Sequence, residues 1–288
     1  MATVYERKHS PFQFVMIAVC VFLCAVTLFP ILNIVALSFS DGDSIQRGEV
    51  GLVPKGFNLS AYEMVFKDHS MIRAFWFSLA LMIAKTALSM TFTVLAAYPL
   101  SKRRLPGRNG IMLVILITMY FSAGTIPDYL MYKSLGILNT VWVLLLPGLI
   151  SSFNLIVLRT FFASIDDNLY DAAYIDGCSE TRALLQIALP LAKAALLTIA
   201  MFYAVDRWNS VTDIILYVQK PEYYTLQFKL KLMLDLINLP YEEGGDMMVV
   251  PENFKSACVV FTMVPMLVIY PFVQKYFREG VMIGSVKG

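Results

Sequence analysis

At 288 residues, with 58% hydrophobic and 15% charged side chains and a mean hydropathy of +0.66, the chain lacks the roughly 25% charged residues of a soluble domain and reads as an all-α integral membrane protein. A net charge of +2 says little about partners, and no basic run is long enough to suggest nucleic acid. Cys20, Cys24, Cys178 and Cys258 form no framework and read as small buried apolar residues.

Crossing a bilayer takes about 20 predominantly apolar residues in a helix. Residues 12–39 are the first such stretch, preceded by Arg7 and Lys8. The stretch exceeds the roughly 7–15 residues of a signal-peptide core, so an uncleaved first span is expected. A polar connection over 40–72 carries Asp41, Asp43 and Glu49. The second span, 73–100, is closed by the basic cluster Lys102, Arg103, Arg104 and Arg108. Further spans are expected over 111–126, 141–158, 194–212 and 256–274, with a long polar excursion over 214–255. Pro30, Pro147 and Pro265 fall inside these spans, where neighbouring helices can satisfy the freed carbonyls. Six spans put both termini on one side.

Lys and Arg in the loops set the orientation. The tails 1–11 and 275–288 with loops 101–110 and 159–193 hold 12 of them, against 8 in the longer opposite loops 40–72, 126–140 and 214–255. Both termini and the loop 163–193 are therefore expected in the cytoplasm. The opposite loops are net negative.

That loop is polar and strongly patterned. Ser164 and Asp167 read as a capping box, with Asp166 also favouring a helix N-terminus. The helix runs through Leu169, Ala172 and Ala173 and stops at Gly177, the residue best able to take a left-handed conformation. Ser179 can cap a second helix over 180–188, with Leu184 and Ile187 on one face, and Pro190 ends it. Two short helices at an angle make a knob that another surface can approach closely.

Asp171, Ala172, Ala173, Asp176, Gly177, then Ile187, Leu189 and Pro190 resemble the EAA loop of bacterial ABC-importer permeases. Asp171 stands where that family usually has Glu, Cys178 where Ala is common, and Ala194 where a second Pro is often found. The segments Ala97–Ser101, Leu135–Asn139, Leu158–Phe162 and Tyr270–Phe277 are similar to carbohydrate importers of the maltose-permease group, in particular to permeases for oligosaccharides released from complex polysaccharides. The resemblance spans about residues 10–288. It implies a type I ABC importer permease fold, with one transmembrane domain over 1–288 and a core over about 72–276. It also implies a second homologous permease subunit, two ATPase subunits that dock on the 163–193 loop, and an extracytoplasmic sugar-binding protein meeting the loop 214–255. The C-terminal tail would reach the ATPase interface. The setting is the bacterial plasma (inner) membrane, and no cofactor is bound by this chain: ATP and Mg belong to the partner ATPase.

Charged residues inside spans cost several kcal/mol at the bilayer centre and mark functional positions by default. Lys85 in the second span reads as structural, although the resemblance leads one to expect a small residue there. Asp206 and Arg207 in the fifth span are adjacent, so they do not face each other. Pathway lining and structural ion pairing both fit them. Trp208 and Asn209 offer an aromatic face beside an amide, which suits a sugar ring. A headgroup-level Trp is the plainer reading; the resemblance to carbohydrate permeases brings the pathway reading level with it. Asp128, Tyr129, Tyr132 and Asn154 are further pathway candidates.

No phosphate-binding GxxxxGK[ST] loop occurs, and the run 280–288 lacks its spacing. His9 and His69 lie outside the spans, which argues against a metal site. No nucleophile motif suggests an enzyme. The expected activity is alternating-access import of an oligosaccharide, driven by ATP hydrolysed on another chain. An ion-gradient transporter using Asp206 and a non-transporting scaffold are the alternatives.

Overall fold

The computed structural model describes residues 11–237 and 251–285. His9, the middle of the expected outer loop and the end of the tail expected to reach the ATPase lie outside the described residues. Among the described residues there is no strand. The helices in order are α1 (Pro11–Ser38), α2 (Gly42–Gln46), α3 (Ser60–Lys67), α4 (His69–Ser101), α5 (Arg108–Tyr120), α6 (Thr125–Ser134), α7 (Trp142–Leu145) and α8 (Ser152–Ala163). Then follow α9 (Asp167–Ile175), α10 (Glu180–Ala183), a π-helical turn (Leu184–Ala188), α11 (Leu189–Leu191), α12 (Lys193–Asn209), α13 (Thr212–Tyr217), α14 (Leu226–Ile237) and α15 (Glu252–Ser285).

Three helical stretches are long and apolar enough to cross a membrane by themselves: Phe12–Ser38, His69–Ser101 and Glu252–Pro271. Two bent pairs pass the same test together, α5 with α6 at 113° and Glu180–Leu191 with α12 at 83°. α8 is apolar but short. Three of the six expected spans thus recur as single long helices, and the other three differ in form.

The expected third span stops at Tyr120. Phe121 is extended, and Gly124 takes φ +93°, a conformation that only glycine adopts without strain, so the chain turns sharply into α6. The expected fourth span is broken between Leu146 and Ser151. Pro147 lies in this break rather than within a helix, and the Ser151 hydroxyl caps α8 by accepting from the Asn154 N–H. The fifth span begins with a bend at Ala192 and ends at Asn209, because Ser210 is extended. Pro30 and Pro265 do sit inside helices.

The chain divides into two compact units. One comprises Met1–His69 with Leu232–Met263. In it Phe39 stacks on Phe57 at 5.6 Å and packs on Tyr62 at 4.9 Å, while the Tyr62 and Ser38 hydroxyls share a hydrogen bond of 2.9 Å. Asn253 donates to the Ser40 carbonyl.

The other unit comprises Ser70–Lys231 with Val264–Gly288. Its larger core joins α4 to α8, α9, the 180–191 helix and α12 through Tyr98, Leu158, Phe162, Tyr170, Leu184, Ile199 and Tyr203. Small residues keep these backbones close: Ala97, Ala183, Ala188 and Ala192 are fully buried. A second core holds α7 and α13 against α4 through Leu81, Leu144, Ile214 and Phe228.

Candidate coupling knob and cavity

The α9 to α11 stretch is a helical knob built as its sequence demands at the turn, and differently at its ends. Asp166, not Ser164, caps α9: its carboxylate accepts from the Asn168 N–H at 3.0 Å. The Ser164 hydroxyl instead turns back to the Phe161 carbonyl, so the expected capping box with Asp167 does not form. Gly177 does end the helix, at φ +80°. The Cys178 N–H reaches the Ala173 carbonyl at 2.9 Å and the Gly177 N–H the Tyr174 carbonyl at 3.1 Å, the pair of bonds of a Schellman motif. Ser179 caps α10 as expected.

Pro190 does not end the second helix. The π turn ahead of it makes a Leu189 N–H to Leu184 carbonyl bond, and this wider turn carries the helix past the proline to Leu191.

The knob turns small or apolar side chains outward at its tip. Leu169, Ala172 and Ile175 are exposed, Ile175 by 86%, and Asp176 and Gly177 are open to solvent beside them. Ala173 is half-buried, and Ile187 and Leu189 are half-buried against the core. Asp171 is exposed and pairs with Arg104 at 3.6 Å.

The knob is tied to the end of α4 by a polar clamp. One Glu180 carboxylate oxygen accepts from the Tyr174 hydroxyl at 2.8 Å and from the Tyr98 hydroxyl at 3.3 Å. Lys102, just past α4, places its ammonium 2.9 Å from the Tyr170 ring centroid and 4.9 Å from that of Tyr98. Burial pushes the Tyr170 phenol up to about 12, and burial together with the bond to Glu180 raises Tyr174 above the usual phenol range. Both therefore remain protonated at neutral pH. Burial lowers the Lys102 pKa, while the charges of Glu180 and Asp167 act in the opposite sense.

Deeper in the same unit, a cavity of about 380 Å³ is lined by Lys85, Gly148, Ser151, Asn154, Tyr203 and Asp206, with Phe153 and Phe202. The break between α7 and α8 supplies one wall of it. Lys85 is buried and donates to the carbonyls of Leu145 (2.7 Å) and Pro147, so its ammonium holds the end of α7. The Tyr203 hydroxyl bonds Thr93 at 2.7 Å and accepts from the Ser151 N–H at 3.0 Å. Asp206 makes no ion pair among the described residues.

A family of binding-protein-dependent transport system inner membrane components matches residues 70–283. The chain belongs to that family. Protein LplC of Bacillus subtilis (strain 168) is 40% identical over 267 residues, covering 92% of this chain and 90% of that protein. The polygalacturonan/rhamnogalacturonan transport system permease protein YtcP of the same organism is 35% identical over 288 residues, covering 98% of this chain and all of that protein. A chain of the crystal structure of a bacterial ABC transporter involved in the import of the acidic polysaccharide alginate superposes with a TM-score of 0.86. It is 31% identical, covering 96% of this chain and 100% of that one. The protein is thus a multi-pass membrane permease component with the fold of an ABC-importer permease, and not itself the ATPase.

The remaining sequence candidates of the permease divide. Arg207 is buried and pairs with Asp213, with a further bond to the Ser210 carbonyl. It is the ion-pairing reading that this geometry favours, while Asp206 alone of the two lines the cavity. Trp208 is 2% exposed and lies edge to face with Phe75 at 6.3 Å, so its ring is enclosed in this conformation. Asn209 is exposed and donates to the Val205 carbonyl. Tyr129 and Tyr132 pack on Tyr217 at 6.3 and 5.0 Å, a cluster apart from the cavity, and Asp128 lies beside it. Asn154 is buried and lines the cavity.

Sequence reading passed over Tyr98, Tyr174, Glu180 and Asp213. A tyrosine at each end of two helices carries no spacing signal until the helices are brought together.

Proposed function

We propose that this chain is one of two homologous permease halves of an ATP-driven bacterial importer, taking up oligosaccharides delivered by an extracytoplasmic binding protein. The observation that carries the reading is the knob. Its exposed tip at Leu169, Ala172, Ile175 and Gly177 leaves an apolar surface free for a partner, while its base is bonded to the end of α4 through Glu180. A partner gripping that tip therefore pulls on a spanning helix. Relatives named for polygalacturonan, rhamnogalacturonan and alginate support an acidic oligosaccharide as substrate.

In this reading the segments form six spans in the inner membrane, with both termini and the knob over residues 163–193 in the cytoplasm. The core runs over about 72–276 of a single transmembrane domain, and the loops 40–72 and 214–255 lie outside. Two ATPase subunits carry ATP and Mg, and one of them receives the knob through Asp171 to Gly177 and Ile187 to Pro190. Asp206, Asn154 and Lys85 line the route. ATP and sugar each bind one of two conformations better, which is what couples them.

Reconstitution of the chain with its partner permease, ATPase pair and binding protein tests this. ATP-dependent uptake of labelled oligogalacturonide is expected. It is expected to be lost in Ala173→Arg and Gly177→Pro, both still inserted in the membrane, because neither allows close docking. Uptake that survives removal of the ATPase subunits, or normal coupling in both variants, overturns the reading.

A further inference from the structure

Beside the knob, a second cavity of about 230 Å³ opens where three helices end. Ser101 closes α4, Arg108 starts α5, and Arg159 lies in the last turns of α8. Four cations, Lys102, Arg103, Arg108 and Arg159, line it against one carboxylate, Asp167. Among the described residues, Arg103, Arg108 and Arg159 pair with no carboxylate, whereas neighbouring Arg104 is taken by Asp171. Arg159 uses its Nε to hold the Leu100 carbonyl at 3.1 Å, which fixes its guanidinium at the cavity wall. No side chain caps α5, so the positive end of that helix adds to the same field.

An independent observation points to an occupant. Tyr170 lines this cavity, is 3% exposed, and its buried hydroxyl has no hydrogen-bond partner. A buried polar atom left unbonded costs about 1–3 kcal/mol, so such an atom in a native site calls for an acceptor that the chain does not supply. A hydroxyl donor among four cations is a recognition set for a phosphate oxygen.

From this geometry we infer that the cavity binds the phosphate of an anionic phospholipid headgroup at the membrane boundary. The apolar surface continues from the cavity along α5, where Ile111, Leu113 and Val114 are exposed, and along α8 at Val157. A phosphate seated at the helix ends thus has acyl-chain surface running away from it. Free phosphate would use only the polar end.

Native mass spectrometry of the delipidated complete importer, titrated with phosphatidylglycerol, phosphatidylcholine and inorganic phosphate, tests the site. Saturable phosphatidylglycerol binding is expected, with phosphatidylcholine far weaker. Arg103→Gln with Arg108→Gln is expected to weaken it by about fivefold for each arginine lost, while Arg104→Gln, outside the cavity, changes it less than either. Tyr170→Phe weakens it further without unfolding the knob, as its hydroxyl bonds nothing else. Equal loss in Arg104→Gln, or no loss in the double variant, reduces the effect to general surface charge and overturns the site. Displacement of the lipid by millimolar phosphate assigns the cavity to the free anion instead. Binding only after the ATPase subunits are stripped away assigns it to a protein interface.

Discussion

The guanidinium of Arg207 is almost wholly buried, with 5% of its side chain exposed, and reaches Asp213 past the end of its own helix. Removing one partner of a buried pair costs about 3–5 kcal/mol, because a charge is left without compensation. Asp213 keeps 20% of its side chain in contact with solvent, which places the expectation at the low end of that range. Asp213→Asn is expected to lower the thermal unfolding midpoint of the detergent-purified complex by several degrees, and Asp206→Asn, with no ion pair to lose, to leave it unchanged. Equal shifts in the two variants would deny Arg207 its structural role. The sequence does show that Asp206 and Arg207 diverge, since neighbours on a helix point apart. The true partner is not visible there, because it depends on Ser210 turning the chain so that Asp213 comes back. The burial of Trp208 is hidden from the sequence for a related reason. Its chemistry suits a sugar, but the helix rotation that puts Asp206 on the cavity carries Trp208 into the core.

Among the elements, the turn of the knob is governed by one backbone conformation. A Cβ at Gly177 meets nothing within 4 Å, so the position is selected for φ +80° and not for room. Gly177→Ala should cost roughly 1–2 kcal/mol, read as a lower melting temperature with uptake retained. Gly177→Asn should cost less, because asparagine tolerates that region. A second element-scale dependence lies at Asn139, which holds φ +60° and whose side-chain carbonyl accepts from the Lys220 N–H at 3.1 Å. Its own N–H reaches the Tyr217 carbonyl at 3.0 Å. Asn139→Ala is expected to loosen the 217–220 loop, seen as faster amide exchange there but not in the knob. The turn at Gly177 and the cap at Ser179 are legible in the sequence because they rest on local chemistry. The α5–α6 and α7–α8 breaks are not, because hydropathy averages over a window and cannot see a sharp turn inside an apolar run. Pro190 misleads in the opposite direction, since a π turn can pass a proline and no residue announces one.

For the whole molecule, one unit carries the knob, the cavity and both cores, while the other holds the first helix and part of the last. The clamp at Glu180 joins the knob to α4 within the former. Glu180→Gln, and more mildly Tyr98→Phe, should leave ATP hydrolysis intact and raise the ATP spent per sugar imported by roughly tenfold, a loss within the usual range of coupling energies. Parallel assays of hydrolysis and uptake on the reconstituted importer measure it; an unchanged ratio would show that α4 is not in the line of transmission. The family and the helical architecture are legible from composition and from the knob's motif, because both are written in contiguous residues. The clamp is not, since it joins positions about eighty residues apart.

A stiff arm turns something only if the machine bends elsewhere. With Glu180 holding knob and α4 as one piece, the chain changes direction by 83° at Ala192, on a methyl group wholly enclosed by its neighbours. A larger side chain there would press on both limbs at once, so Ala192→Leu is expected to cost about 1–3 kcal/mol and to lower the melting temperature of the whole corner.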